Sequence, residues 1–400
     1  MAGSKTPAFL KYAKMIRSTT LVALLLFILI FTGFGQSTSN PQLPDYLYAK
    51  RIEQLDRKTP IKLEYNKHVR AYIDVYTERR REHLANIIAR AELYFPLFEE
   101  QLAKHNLPLE LKYLAIVESA LDPRAKSSSG AMGLWQFLYH AGRMFNLNVT
   151  SYEDERCDPV KSTEAACRYL AYLYQNLEDW QLALAAYNGG IGEIQKAIVR
   201  SGGKKNYWEL RPYLPDQVKG YVPAFIAVNY VMNHYESHKI KAAEPLIRFN
   251  ETDTVVIHKS LTFSQIAEAS GTSMDMISLL NPSYTKEIIP VNEQPVKILL
   301  PRKNILKFIQ EEHKLSPAQK PQANIGVWRM PSPIPSLHTV QRGEFFHVIA
   351  MKYQTTVDQI MRWNNLKSKN LKTGQKLIIY NQPQAQPFFF IREENNFAYR

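Results

Sequence analysis

Glu118 stands where a helix should be burying its apolar stripe. The stretch Leu107-Pro108-Leu109-Glu110-Leu111-Lys112-Tyr113-Leu114-Ala115-Ile116-Val117-Glu118-Ser119 reads as a helix with Pro108 in its first turn. Leu111, Leu114, Ala115 and Glu118 fall at i, i+3, i+4 and i+7, so they share one face. Desolvation penalises a charged carboxylate and raises its pKa, which suits a general acid working near neutral pH. Taken alone, the helix favours a solvated or paired glutamate at the rim of the stripe. Three later segments change that reading: Gly130-Ala131-Met132-Gly133-Leu134-Trp135-Gln136-Phe137, Ala185-Ala186-Tyr187-Asn188-Gly189-Gly190 and Tyr221-Val222-Pro223. The glycines let backbone approach a ligand closely. Gln136 and Asn188 carry donors and acceptors for sugar hydroxyls and acetamides. Tyr187 and Tyr221 offer rings for a sugar face and hydroxyls for hydrogen bonds. Each segment has a structural reading by itself: Trp135 as core, Asn188-Gly189 as a turn, Tyr221-Val222-Pro223 as a helix start. All four in this order and spacing are another matter.

The elements that must position these residues are helical. From about Asp45 to Asn106 the chain is charged, helical in pattern and without glycine. Between His83 and His105, Leu84, Ile87, Ile88, Ala91 and Leu93 recur at helical spacing. Further helical patterns run over Lys161–Gln175, Trp180–Tyr187 and Val222–His234, with loops at Ser127-Ser128-Ser129-Gly130 and Ser201-Gly202-Gly203. Residues 45–238 therefore read as one all-α domain. After His238 the texture changes. Val255-Val256-Ile257 and Val296-Lys297-Ile298-Leu299-Leu300 read as strands flanking two short helices, a unit over 254–301. A second such unit spans His338 to Tyr380. Thr262–Ala267 aligns with Glu344–Ala350, and Met276-Ile277-Ser278-Leu279-Leu280-Asn281 with Ile360-Met361-Arg362-Trp363-Asn364-Asn365. Residues 302–337, with prolines clustered from Pro317 to Pro335, read as an extended linker. The tail 381–400 contains Phe388-Phe389-Phe390-Ile391, a possible strand. Two copies of a small module suit avidity for a repetitive polymer.

Four hundred residues with 45% apolar side chains suffice for two or three packed domains. A net charge of +13 favours an anionic partner such as a wall polymer or membrane surface. Nucleic acid is disfavoured, because the basic residues are dispersed and no recognition motif is present. Residues 1–36 predict an export leader: Lys5, Lys11, Lys14 and Arg17, an apolar run from Leu21 to Phe31, and Gly33 and Gly35 at a small-x-small pattern. The run falls short of the roughly 20 residues of a comfortable membrane span, so cleavage is favoured over retention as an anchor. Cys157 and Cys167 can pair across a short loop, worth up to ~3 kcal/mol, or remain two buried thiols. They form no metal-ligand pattern.

The four segments together resemble the lysozyme-like transglycosylase domain of the bacterial lytic murein transglycosylases. The membrane-bound type D group, which joins that domain to C-terminal LysM modules, is nearest in pattern. The resemblance covers roughly residues 65–235, and 338–380 as a LysM; the unit 254–301 is a degenerate LysM. It implies a mainly α chain: a lysozyme-like α-helical catalytic domain followed by small α+β (βααβ) modules. It also implies peptidoglycan as partner and substrate, an exported enzyme of the cell envelope with possible membrane association through its N-terminus, and no metal or cofactor.

Residue by residue, the resemblance makes Glu118 the single catalytic acid/base. It places Ser119, Ser127, Met132, Gln136, Tyr187, Asn188 and Tyr221 against the substrate, and Trp363 and Asn364 against glycan in the LysM. The implied reaction cleaves the β-1,4 bond between N-acetylmuramic acid and N-acetylglucosamine without water, the muramic C6 hydroxyl attacking C1 to leave a 1,6-anhydro ring. One carboxylate suffices for such an internal attack, where most glycosidases use two. The other candidates are poorly suited: Asp122 before Pro123 reads as a turn residue, and Glu153 and Asp154 lie in a polar loop. Two departures stand out. Leu138-Tyr139-His140-Ala141-Gly142 replaces the family's Met-Pro and following Thr-Gly, and Gly343-Glu344-Phe345-Phe346 replaces Gly-Asp-Thr-Leu in the second module. The alternatives are a hydrolytic muramidase and a non-catalytic peptidoglycan-binding protein.

Overall fold

The computed structural model describes residues 43–292, 294–318, 334–341, 344, 346–353, 355, 357–366, 368 and 370–381. The expected leader, most of the proline-rich stretch and nearly all of the tail lie outside these residues. The chain divides after Tyr48, inside helix α1 (Asp45–Asp56). Of the first unit, residues 43–48 are described.

From residue 49 to His238 every regular element is helical, as the sequence patterns require. Asn66 opens α2 (Lys67–Asp74), its side chain accepting from the His68 and Val69 amides. A π-helical turn, Val75–Arg79, leads into α3 (Arg81–Lys104). All five apolar positions read from the sequence of α3 are buried. The expected helix over 107–119 is two elements: a 3₁₀ segment, Leu109–Tyr113, and the short α4 (Leu114–Ser119). Pro108 precedes the segment, and its carbonyl accepts the Leu111 amide, closing the tighter turn.

α5 (Tyr139–Met144) follows the glycine-rich loop. Asp158 caps α6 (Pro159–Leu177), with Pro159 in the first turn, and Asp179 caps α7 (Trp180–Gly189). α8 (Ile191–Arg200), α9 (Tyr207–Leu210) and α10 (Asp216–Lys219) lead to α11 (Tyr221–His234). α11 is the central post: every residue from Tyr221 to Val231 is buried, and it packs against α2, α4 and α7. A helix apolar on all sides needs that environment.

The region after residue 251 is two small α+β modules. In the first, β1 (Thr252–Ile257) pairs antiparallel with β4 (Val296–Pro301). Between them lie β2 (Leu261–Thr262), α12 (Phe263–Ser270), α13 (Met274–Leu280) and β3 (Ile288–Ile289). The extended linker expected from residue 302 needs correction. Arg302–Glu312 is a helix, α14, and its Phe308 is fully buried in the module's core beside Ile266, Ile298 and Leu300. Prolines begin only at Pro317, beyond the helix, so nothing in 302–312 opposes helix formation. In the second module β5 (Ile334–Thr339) pairs with β6 (Lys376–Asn381) around α15 (Phe346–Lys352) and α16 (Val357–Trp363). Met144 of α5 packs on the core of this module.

The two modules share one hydrogen-bond plan. In the first, Asn281 Nδ2 donates to the Ile277 and Leu299 carbonyls while its Oδ1 accepts the Leu299 amide. In the second, Asn364 makes the same three bonds with Ile360 and Ile378. The helix alignment read from sequence is therefore one residue out of register: Asn281 corresponds to Asn364, not Asn365. The tie gives Asn364 a structural role as well, its amide locking α16 to β6. Trp363 is half-buried against the module core, its ring 5.3 Å from that of Tyr380. The departure Glu344 is accommodated: it accepts the Gln341 amide and lies 2.9 Å from His338 Nε2.

Candidate active site

Glu118 is the penultimate residue of its helix, which Ser119 ends just before a sharp reversal. Ala120 and Leu121 both adopt left-handed backbone conformations, with φ of 52° and 60°. Neither is glycine, and such conformations cost of order 1–3 kcal/mol each, a strain that gathers at functional sites. The apolar face of the helix is as expected, with Leu111, Leu114 and Ala115 fully buried. Glu118 keeps part of its surface open. Its carboxyl nonetheless lies deep among protein atoms, and burial raises its pKa from 4.5 to about 7. The Tyr221 hydroxyl donates to Glu118 Oε1 and pulls the other way, favouring the charged form. Burial wins, and the carboxyl titrates near neutrality.

Three tyrosines surround it. Tyr187 on α7 donates its hydroxyl to the Trp135 carbonyl at 2.9 Å, and its ring lies 5.1 Å from that of Tyr169 on α6. Burial and the Glu118 charge raise the pKa values of Tyr187 and Tyr221, so both phenols remain hydrogen-bond donors. Tyr169 feels the same charge after burial and Tyr172. Sequence reasoning missed Tyr169, because an aromatic in the stripe of α6 also reads as core. Replacing Tyr221 by Phe removes the bond that favours the carboxylate. The expected result is a 10- to 100-fold loss of activity, since hydrogen bonds to charged groups are worth roughly 1.5–3 kcal/mol. The Glu118 inflection in the pH–rate profile moves upward; an unchanged profile would rule out Tyr221 as its partner.

The glycine-rich loop forms the adjoining wall. Ser127 Oγ accepts the Ala131 amide at 3.0 Å, and Met132 bridges Lys126 and Phe137 through its backbone. Ser127 and Met132 are both half-buried. Gln136 sits at φ 49°, a left-handed conformation that its residue type does not announce. Its Nε2 donates to the Ala125 and Gly133 carbonyls at 3.0 and 2.9 Å, locking the loop. Asn188 is exposed at the end of α7. Ser119 needs correction as a substrate contact: it is buried, and its hydroxyl lies 2.9 Å from both the Ala115 and Leu134 carbonyls. It ties α4 to the loop.

The other carboxylates are engaged elsewhere. Asp122 Oδ1 accepts the Arg124 amide, Glu153 pairs with Lys161, and Asp154 is chelated by Arg156. Cys157 and Cys167 are free, buried thiols whose pKa values burial pushes up to about 12. Among the described residues no group of three or more His, Cys, Asp or Glu is placed to hold a metal ion.

A helical body with one buried acid among tyrosine hydroxyls is followed by two small α+β modules, and the chain carries the corresponding parts of a lytic transglycosylase: an SLT domain, then a LysM-like and a LysM module. Residues 95–209 match the Transglycosylase SLT domain, 251–317 the LysM-like domain of lytic transglycosylase MltD, and 338–379 the LysM domain. Over 316 residues the chain is 29% identical to the membrane-bound lytic murein transglycosylase D of Escherichia coli (strain K12), covering 77% of this chain and 68% of that one. The membrane-bound lytic murein transglycosylase F of Alcanivorax borkumensis is 29% identical over 175 residues, 38% of this chain and 36% of that one. Among solved structures, the 70 kDa soluble lytic transglycosylase of Escherichia coli aligns at 26% identity and a TM-score of 0.32, over 39% of this chain and 27% of that one.

Proposed function

We propose that the chain cleaves the β-1,4 bond between N-acetylmuramic acid and N-acetylglucosamine in peptidoglycan without water, leaving 1,6-anhydromuramic ends. The observation that carries this reading is Glu118, whose pKa of about 7 is set by burial and the Tyr221 hydroxyl, while Asp122, Glu153 and Asp154 are engaged with other partners. A protonated Glu118 gives its proton to the leaving oxygen as the C1–O bond breaks, and the substrate's acetamide shares the developing positive charge. The carboxylate so formed then takes the proton of the C6 hydroxyl as that oxygen bonds to C1. An attacking group held in the same sugar has the advantage of proximity, worth up to ~7–11 kcal/mol in the best-oriented cases. Tyr187, Gln136 and Asn188 line the cleft, and Tyr169 joins them through its contact with Tyr187. The second module adds weak glycan binding in tandem with the catalytic domain. The leader, the basic charge and the type D relative support export to the cell envelope; among the described residues no helix is long and apolar enough to cross a membrane.

Mass spectrometry of fragments released from purified peptidoglycan, with and without borohydride, tests the reaction. Fragments one water lighter than ordinary muropeptides and inert to borohydride are expected. Reducible ends would make the enzyme a hydrolytic muramidase instead. Wall binding with no release would leave a binding protein.

A further inference from the structure

The first module does not hang from the catalytic body; it is stitched to it by backbone. Glu153 and Tyr284 form an antiparallel bridge. The Asp154 amide donates to the Ser283 carbonyl at 2.8 Å, and the Thr285 amide to the Tyr152 carbonyl at 2.9 Å. Arg124 adds two bonds, from Nε to the Pro282 carbonyl at 3.1 Å and from Nη2 to the Tyr284 carbonyl at 3.3 Å. Lys286 Nζ lies 5.1 Å from the centre of the Tyr152 ring. Three of the segments in this junction are Ser151–Asp154, the turn at Arg124, and 282–286.

The same Asp154 whose amide grips the module holds Arg156 with its side chain. Its carboxylate accepts from Arg156 Nε at 2.9 Å and Nη2 at 2.6 Å, a fork that fixes the guanidinium plane. Both side chains are buried. The remaining nitrogen, Nη1, donates to the Gly130 carbonyl at 2.9 Å and the Phe137 carbonyl at 3.2 Å. Those two carbonyls are the two ends of the loop that carries Met132 and Gln136. The backbone of Arg156 also touches the loop's middle, since a Cβ added to Gly133 would fall 2.0 Å from the Arg156 carbonyl oxygen.

We propose that Arg156 is a positioning residue for the Gly130–Phe137 loop, and that the docked first module holds Arg156 in place through Asp154. The module is then a structural part of the active site, and releasing it loosens the loop. A loop shifted by an ångström is enough to cost on the order of a hundredfold in rate. The inference rests on the reading that this loop lines the cleft.

Hydrogen–deuterium exchange and kinetics on the full chain test it together. Arg156→Lys keeps the charge beside Asp154 but loses the fork. The expected result is faster exchange in residues 126–138, unchanged exchange in α11, and a kcat about 10- to 100-fold lower, with binding to insoluble peptidoglycan retained. The paired surface variant Arg124→Ala, Lys286→Ala removes two ties without touching the buried pair, so it remains informative if Arg156→Lys does not fold. There, faster exchange is expected first in 281–287 and 151–155, and with it in 126–138. A freed junction with an unchanged loop would overturn the proposal, as would a junction that this variant leaves unchanged. Exchange is read whether or not the chain cleaves peptidoglycan, so failure of the enzymatic reading is distinguishable from failure of this one.

Discussion

Glu118→Gln leaves a folded protein that binds peptidoglycan and releases none of it. General acid–base catalysis contributes roughly 10²–10⁴-fold, and in the proposed reaction one group acts in both steps, so a loss of about a thousandfold or more is expected. The same substitution has an opposite effect on stability. The folded pKa of Glu118, about 7, lies above its ordinary 4.5. The folded state therefore binds the proton more tightly than the unfolded state does. The associated stability is present in full below pH 4.5 and is lost as the pH rises through about 7. A neutral amide does not suffer that loss. Glu118→Gln should melt higher than the parent at pH 8, by up to roughly 3 kcal/mol, with the gap closing toward pH 4. A variant less stable at both pH values would contradict the burial of the carboxyl, and substantial activity would remove Glu118 from the mechanism.

Gly133→Ala should be the most disruptive single methyl in the catalytic domain. Gly133 has φ +82°, and the new Cβ would meet the Arg156 carbonyl oxygen at 2.0 Å, a backbone atom that cannot swing aside. Left-handed strain and overpacking together cost at least about 3 kcal/mol, which in a domain of this size lowers the melting temperature by roughly 6–12 °C. Activity should fall with it, because Gln136 and Met132 ride on the displaced loop. Gly130→Ala is the control. Its φ is similar, +79°, but nothing lies within 4 Å of the added methyl. Only the backbone strain remains, about 1 kcal/mol. Equal melting temperatures for the two variants would mean that the Arg156 contact is not close in solution.

The periodic helices were legible because their burial follows from local spacing. Leu84, Ile87, Ile88, Ala91 and Leu93 are buried as a 3.6-residue period demands. The candidate site stands out in the sequence for a different reason: acid, amide and tyrosine in one order make a pattern that structural residues alone do not need. What went astray was non-local. The extended linker was read through 302–312 because α14 is amphipathic only toward a core made by β1, β4 and α12. The structural tie made by Asn364 is invisible locally, because its bonds to the Ile378 backbone depend on a strand 14 residues away. The resemblance places Ser119 against substrate, whereas a helix turns the side chain after Glu118 by about 100°, here into the core.

By itself, then, the sequence determined a helical body, its single candidate acid, and two repeated modules after it. These rest on composition, period and motif, which the chain carries locally. The tertiary structure decided how the acid is tuned and how the loop beside it is held. Whether a carboxylate is desolvated depends on the side chains of α6, α7 and α11 that close over it. Likewise, Arg156 became a loop anchor only once folding brought Asp154, Gly130 and Phe137 around one guanidinium. Desolvation and hydrogen-bond geometry belong to atoms distant in the chain, and no local pattern encodes them.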